Sequence, residues 1–509
     1  MSTKQNASKR AGTRRDLYAI ILLAATLRLL GLGHQSIWGD EFLTLFRYSA
    51  GNSLGQVWTH VWHFAVHPPV YFIICHYWYL LGQSEFMARF PSAVFGIACI
   101  PVMYALANRL FGRTSARITA IIAATSPIHI WYSQEARMYT LQVLLAATAC
   151  LFFVRAWQNR RTADVVLYAA ASILGLYTQM STLLLVFGIG VFAVLQSMRD
   201  RRHAAMWFAV HALILIAYTP WLMNIHHARE ADRKAVTIGY ERPKSIADLG
   251  YGFYTFSVGF SFGPTVADLH GASEGSAIKK SLPQIAISGL LFSMLAIFGT
   301  ILGFRKQRPE MIFTLTILLL PSILAAAASL TPAIPLNPRY MLVAIVPYWM
   351  LLALGIEFAA SFEKARLAIP AFAILIGVSL FNHYFDERYA KQDLRAATAV
   401  VNKDARPGDT IIISSIELGG PFIYYYRRQD IPFCGYPKSV GLVDPTSLKT
   451  DMCRLLTHKR RAWLVLGRTW SSDPDGLLPS YFDSRFAVFE KTHCNGVSVI
   501  GYSLPINGK

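Results

Sequence analysis

The sequence predicts a polytopic α-helical membrane protein with a small α/β domain at its C-terminal end. Three observations predict it. Hydrophobic residues make up 54% of the 509 and charged residues only 15%, against about 25% charged in a typical soluble domain. Apolar runs of near-spanning length recur from residue 16 to residue 384. Beyond 384 the pattern changes to short helical and β-like stretches separated by turn residues.

The apolar runs lie at 16–33, 91–108, 115–131, 138–154, 164–180, 182–198, 205–222, 284–303, 311–330, 340–358 and 366–384. Each approaches the ~20 residues that cross the hydrocarbon core. The run 68–82 is shorter, and the whole topology turns on it. If it does not cross, the N-terminus and the clusters Arg109/Arg113/Arg117, Arg155/Arg160/Arg161, Arg199/Arg201/Arg202, Arg305/Lys306/Arg308 and Lys364/Arg366 share one side. The positive-inside rule makes that side the cytoplasm. If it crosses, most of those clusters fall outside. The segment 68–82 is therefore expected to lie on the outer membrane surface as an amphipathic, aromatic helix. The first apolar run follows Lys9, Arg10, Arg14 and Arg15 without a small-residue cleavage pattern and reads as a start-transfer helix. The expected divisions are a cytoplasmic tail 1–15, a membrane domain 16–384 and an outer domain 385–509. This is a bacterial inner-membrane arrangement, with the N-terminus in the cytoplasm and the tail in the periplasm.

The tail reads as α/β. Helical stretches are expected at 391–404, 420–428 and 446–457, and strands at 410–415, 462–466, 486–490 and 497–503. Arg406-Pro407-Gly408 is a stop-and-turn signal between the first helix and the first strand. Cys75, Cys99 and Cys150 fall in apolar helices as packing residues. Cys434, Cys453 and Cys494 fall in the tail, where an odd number permits at most one disulfide.

The net charge is +19. Nucleic-acid binding is one reading of such a balance, but the basic residues sit in short clusters between apolar runs, which is the membrane pattern. The expected partners are membrane lipids, not nucleic acid.

Several outer stretches carry chemistry. Asp40-Glu41 follows the first span and reads either as a general base with a polar helper or as a solvated pair. Arg28 lies inside that span and either faces a cavity or snorkels. His67-Pro68-Pro69 opens the surface helix, with His67 a ligand or a plain loop residue. Glu85 and Arg89 stand at i, i+4 spacing, a local ion pair or an arginine ready for phosphate. Glu135, Arg137 and Tyr139 crowd a turn between two spans, which favours function. Arg339 and Tyr340 mark the outer end of the tenth span as a phosphate ligand or an interfacial anchor pair. The long loop 223–283, with Phe256 to His270, is a candidate cover for a lipid-bound substrate.

Together Trp38-Gly39-Asp40-Glu41, His67-Pro68-Pro69, Ser84-Glu85 with Arg89, Pro91 and Ser92, and Tyr132 to Tyr139 (YSQEARMY) resemble the polyprenyl-phosphate-sugar glycosyltransferases of family 39 in the broad sense. That family includes protein O-mannosyltransferases, aminoarabinose transferases of lipid A and bacterial galacturonosyltransferase-like proteins. The resemblance spans about residues 16–385 and extends to FSFGPTVADLH, ending at His270, and to Arg339-Tyr340. Gln392-Asp393-Leu394-Arg395 and Arg406-Pro407-Gly408-Asp409 resemble the periplasmic tail of bacterial members.

The resemblance implies a GT-C fold and an inverting transfer from a polyprenyl-phosphate-linked sugar to a glycan, glycolipid or protein hydroxyl. It implies Asp40 as base, Glu41 as its helper, Glu135 as sugar or acceptor ligand, and Arg89 as phosphate ligand or loop holder. Arg28, His67, Glu85, Arg137, Tyr139, His270, Arg339 and Tyr340 complete the expected substrate site. No cofactor is required, a divalent cation included. Gln179 departs from the family pattern, where many bacterial relatives have histidine. A lipid transporter is the alternative; it predicts mid-membrane charges and an internal repeat. A membrane scaffold with a partner-binding tail is a further one.

Overall fold

A computed structural model gives the structure, and it describes residues 2–47, 49, 51–64, 67–198, 200–236, 247–269, 274–330, 337–438 and 441–505. Seven described helices are long and apolar enough to cross a membrane: Glu85–Phe111, Tyr139–Asn159, Arg201–Asn224, Leu282–Lys306, Arg308–Ser329, Leu342–Ala360 and Lys364–Phe385. Thr162–Leu176 and Thr182–Ser197 are apolar but shorter. The first helix runs from Ser2 to Leu29. The segment expected on the surface is a helix of nine residues, Val70–Trp78, followed by a 3-10 turn of three. At ~1.5 Å per residue it falls well short of the ~30 Å hydrocarbon layer.

The run expected as one span at 115–131 is two helices, Arg113–Thr125 and Pro127–Ser133. Pro127 is the cause, because the residue before a proline is pushed out of the α region. Ser126 accordingly has φ −61° and ψ 115°. The break strips the last carbonyls of the first piece of their helical donors, and Arg28 replaces them. Its NH1 and NH2 donate to Ala124 O and Ala123 O, both at 2.9 Å, and NH2 lies 2.8 Å from His129 Nδ1. Arg28, expected at the substrate, is instead fully buried in this joint. Broken helices persist at membrane depth only where other groups satisfy the freed backbone. The end of the first helix is closed in the same way: Gln134 Nε2 donates to Arg28 O at 3.2 Å and Leu30 O at 2.8 Å.

Helix Leu342–Ala360 is the axis of the bundle. Its spanning window is 83% buried, against 28% for its neighbour Leu282–Lys306. Those two helices meet backbone to backbone. A Cβ on Gly299 would lie 2.0 Å from Leu351 O, and one on Gly355 would lie 2.0 Å from Leu295 O. Small residues allow such approach where packing rather than hydrophobicity holds helices together. Ion pairs tie the basic clusters together at one end of the bundle: Arg117–Asp16 at 2.9 Å, Arg155–Asp164 at 2.9 Å, Arg160–Asp200 at 3.9 Å, and Lys306–Glu357. The residues of the first loop gather at the other end.

The C-terminal domain is built on a five-stranded mixed sheet: β1 Thr410–Ile413, β2 Phe433–Gly435, β3 Arg461–Gly467, β4 Ala487–Cys494 and β5 Val497–Ser503, in the order β2-β1-β3-β5-β4. The first three strands are parallel and the last two antiparallel. Strand alternation sends Ile411, Ile413, Trp463 and Val465 to one face, under helices Leu394–Asp404 and Ile416–Tyr425. Ile412 and Leu464 go to the other, under helices Pro445–Leu456 and Leu477–Asp483. The helix expected at 420–428 starts earlier, at Ile416, because Ser415 caps it by accepting Glu417 N. Strand β2 and the helix at 477–483 were outside the sequence expectation: three residues show no alternation. All six cysteines are free.

A leucine at 355 would place side-chain atoms on the Leu295 carbonyl. Gly355→Leu should therefore cost about 3 kcal/mol, the upper range of overpacking, read as a lowered Tm of the purified protein in detergent. Gly377→Leu is the control, since nothing lies within 4 Å of a Cβ there. Equal Tm values for the two variants would rule out the backbone contact.

Candidate active site

The first loop enters a short helix, Gly39–Arg47, with Asp40 and Glu41 in its first turn, where the helix dipole favours negative charge. Helical geometry turns the two acids about 100° apart, and they meet opposite surroundings.

Glu41 points inward and is fully buried. Arg89 Nε and NH2 donate to its two oxygens at 2.7 and 2.8 Å. The rest of that guanidinium donates to Leu32 O at 3.0 Å, Gln35 O at 2.9 Å and Ser36 O at 2.9 Å, so all five N–H groups are committed. Glu41 also accepts Ala136 N at 3.0 Å and lies 3.5 Å from Lys391 Nζ. Burial pushes its carboxyl up, but Arg89, Lys391 and these hydrogen bonds outweigh burial and hold it at about 2.

Asp40 faces the other way and is partly exposed. Its Oδ2 lies 3.3 Å from Arg339 NH1, which is also 3.4 Å from Tyr139 OH. Arg137 NH1 reaches the Asp40 carbonyl and Thr44 Oγ1, both at 3.4 Å. Burial raises the Asp40 pKa, and the guanidiniums of Arg137, Arg339 and Arg468 bring it below the ordinary carboxylate value. The Nε atoms of Arg137 and Arg339 are buried without a hydrogen-bond partner. Tyr340 lies under Arg339, with the guanidinium 5.4 Å from its ring centroid.

His67 Nδ1 is 3.0 Å from Gln179 Oε1. An amide oxygen only accepts, so Nδ1 carries the hydrogen and Nε2 keeps its lone pair. Burial first, then Arg137 and Arg339, lower the His67 pKa to about 3, and the ring is neutral at physiological pH. Gln179, the departure from the family pattern, thus fixes the tautomer of His67.

Glu135 is buried beside this group. Its Oε1 accepts Trp131 Nε1 at 2.9 Å and lies 3.5 Å from Lys391 Nζ, while Oε2 has no partner. Burial raises its pKa; the charges of Glu41 and Asp40 add to the rise, and Lys391 opposes it.

The structure thus brings together Asp40, His67, Arg137, Tyr139, Arg339 and Tyr340, with Glu135 adjoining. Four expected site residues stand elsewhere, Arg28 in the helix joint being the first. Arg89 has no free donor for a phosphate and pairs with Glu41 rather than with Glu85. Glu85 instead pairs with Arg395 at 2.7 Å and accepts Tyr425 OH at 3.1 Å, docking the tail. Glu41, expected as the catalytic helper, has both oxygens occupied in the loop lock. His270 lies outside the described residues. Lys391 and Arg468 were missed. A lysine in a polar tail reads as solvated, yet Lys391 Nζ sits 5.8 Å and 5.9 Å from the ring centroids of Trp38 and Trp131. Its one sequence signal was its position directly before Gln392-Asp393-Leu394-Arg395. Arg468, at φ +49°, pairs with Glu417 at 3.1 Å and adds to the field at Asp40.

Residues 66–223 match the family model for dolichyl-phosphate-mannose-protein mannosyltransferase. YycA of Bacillus subtilis (strain 168), a mannosyltransferase by name, is 22% identical over 257 residues, which cover 47% of this chain and only 36% of that protein. Apo ArnT from Cupriavidus metallidurans superposes with a TM-score of 0.57 at 13% identity, over 95% of this chain and 97% of ArnT. The same protein bound to undecaprenyl phosphate gives 0.51 at 13% identity over the same shares. The archaeal oligosaccharyltransferase AglB from Archaeoglobus fulgidus, in complex with an inhibitory peptide and a dolichol-phosphate, gives 0.54 at 13% identity, over 98% of this chain and 75% of AglB. The shared architecture is the GT-C fold.

The Glu41 lock has a pH signature. A carboxyl lowered from 4.5 to about 2 on folding adds stability that is complete above pH 4.5 and is lost as pH falls toward 2. The full shift corresponds to roughly 3 kcal/mol. Melting curves between pH 6 and pH 3 should show a steep acid loss in the wild type and a flatter profile in Glu41→Gln, which starts lower. Parallel profiles would remove Glu41 as the source.

Proposed function

We propose that this chain, which carries a dolichyl-phosphate-mannose-protein mannosyltransferase family domain at residues 66–223 within a GT-C fold, is an inverting glycosyltransferase using a polyprenyl-phosphate-linked sugar. The observation that carries the reading is Asp40: an accessible, ionised carboxylate 3.3 Å from Arg339, at one end of a membrane bundle, with unpartnered guanidinium nitrogens around it. ArnT with undecaprenyl phosphate and AglB with dolichol-phosphate and a peptide support a lipid-linked donor and a separate acceptor.

In this proposal Asp40 takes the proton of the acceptor hydroxyl, whose oxygen attacks the anomeric carbon from the face opposite the phosphate. The anomeric C–O bond breaks, and the polyprenyl phosphate leaves with the electron pair. A phosphate is stable as an anion, so cations suffice to stabilise the developing charge. Arg137 and Arg339 supply them through their free donors, with Tyr139 and Tyr340 shaping the Arg339 position. Arrival of the donor phosphate draws Arg339 away from Asp40, which raises the basicity of that carboxylate when the hydroxyl is in place. His67 Nε2 and Glu135 Oε2 accept hydrogen bonds from sugar hydroxyls. Glu41 and Arg89 hold the loop that presents Asp40.

The basic clusters at the opposite end of the bundle favour a cytoplasmic face there, which supports a periplasmic Asp40 end with the domain 385–509 docked on it. On this assignment residues 1–15 are cytoplasmic, 16–384 form the catalytic membrane domain, and the reaction modifies a cell-envelope glycan, glycolipid or protein.

Mass spectrometry of envelope lipids and glycoproteins tests this in a deletion strain carrying either wild type or Asp40→Asn. The variant should accumulate at normal levels yet lose one sugar-sized mass, as the deletion does, with transfer down ~10²–10⁴-fold. Unchanged profiles in both the deletion and Asp40→Asn would sink the proposal. Lys391→Met gives an independent check. Loss of the ammonium beside Glu135 leaves that carboxyl protonated to a higher pH, so the ascending limb of kcat/KM should move up while Lys391→Arg restores it. A uniform fall with no movement of the limb would leave Lys391 a packing residue only.

A further inference from the structure

We infer a second ligand site, for the phosphate headgroup of an anionic membrane lipid, at the end of the bundle opposite Asp40. Helices Glu85–Phe111 and Tyr139–Asn159 both start at the Asp40 end, with Arg89 just past the first turn of one and Tyr139 opening the other. Their far ends lie about 30 Å away and flank a shallow, largely open concavity of about 600 Å³. Arg109, Arg155 and Arg161 line it, with Asn108, and Tyr104 and Leu151 form an apolar wall.

The charges there are arranged rather than scattered. Arg109 donates from Nε to Gln158 Oε1 at 2.7 Å and from NH2 to Asn159 Oδ1 at 2.6 Å. Both acceptors are neutral, so they fix the guanidinium without cancelling its charge. Arg155 pairs with Asp164 at 2.9 Å. Among the described residues no carboxylate forms an ion pair with Arg109 or Arg161, so three guanidiniums meet one carboxylate. Arg161 is also the cap residue of helix Thr162–Leu176, so the backbone holds it at a helix boundary beside the concavity. Snorkelling arginines spread into water; these three converge on one concavity.

The ligand must therefore be anionic at one end and apolar at the other. A phosphodiester accepts fixed guanidinium donors well, and its acyl chain can run along Tyr104 and Leu151 into the membrane. Basic pockets between membrane helices take lipid headgroups in this way. The free headgroup lacks the chain and loses the apolar wall, so the site selects the lipid over soluble phosphate. This inference does not depend on the transfer reaction.

The test is native mass spectrometry of the full chain released from nanodiscs of phosphatidylglycerol mixed with phosphatidylcholine. One phosphatidylglycerol should be retained on the wild type in preference to phosphatidylcholine. The double variant Arg109→Gln/Arg161→Gln should lose that preference by about thirtyfold, two arginines at the usual headgroup increment. Its Tm in pure phosphatidylcholine serves as the folding check, and Arg109→Lys/Arg161→Lys should recover most of the binding if the double variant is unstable. Arg113→Gln/Arg305→Gln, which removes two charges outside the cavity, should retain the lipid. Equal retention by the cavity variant and wild type would overturn the site. So would equal loss in the control pair, which would mark a diffuse basic surface. Displacement by glycerol phosphate at the same concentration would assign the cavity to soluble phosphate instead.

Discussion

The buried Glu41–Arg89 pair is the constraint on which the rest of the site depends. Withdrawing two charges from water costs several kcal/mol per ion unless every donor and lone pair is met. Here they are met: five guanidinium bonds, two of them to Glu41, and an added backbone donor from Ala136. Three of the five acceptors are carbonyls of the first loop, so the pair folds residues 32–41 around itself. The Ala136 donor belongs to the turn that carries Glu135, Arg137 and Tyr139. One ion pair thereby sets the loop and the turn relative to each other. Asp40 is placed by its neighbour's bonds rather than by its own.

This accounts for two adjacent acids with opposite fates. Asp40 and Glu41 occupy the same helical turn and differ by one rotation. Glu41 meets Arg89 at bonding distance from both oxygens and cannot be spared for chemistry. Asp40 meets Arg339 at 3.3 Å through one oxygen and keeps exposure. The long, single contact leaves a carboxylate that is ionised yet free to exchange partners, which suits a base better than a saturated one does.

The architecture was largely legible in the sequence, because composition, apolar runs and charge parity are local properties. The shortness of the helix within 68–82 and the α/β tail followed from them. The partners of the charged residues were not legible. Glu85 and Arg89 have the spacing of a helical ion pair, worth a few tenths of a kcal/mol, but each finds a better partner: Arg395 for one, Glu41 for the other. Arg28 read as a site residue because an arginine in a span is costly; its reason is the Ser126-Pro127 break, which the apolar run 115–131 concealed. Lys391 gave no periodicity or motif of its own. Long-range pairs are chosen by the tertiary fold, and spacing along the chain carries no trace of them.

Lys391 shows why the C-terminal domain belongs to the site and not merely beside it. Glu41 and Glu135 approach the same buried volume, and Arg89 balances only Glu41. Lys391 stands 3.5 Å from both carboxylates, between two indole rings, and makes the set two negative and two positive. It lies just after the last membrane helix, two residues before Asp393. Asp393 accepts Ser36 Oγ at 2.7 Å and also Ala396 N at 3.0 Å, so it caps the first tail helix while gripping the first loop. Tyr425 binds Ile37 N at 2.8 Å from the next helix. Without these contacts the charge on Glu135 would face Glu41 uncompensated in a buried volume, which like charges resist strongly. The tail therefore completes the electrostatics of the loop that carries Asp40, and its docking and the geometry of the site are one equilibrium.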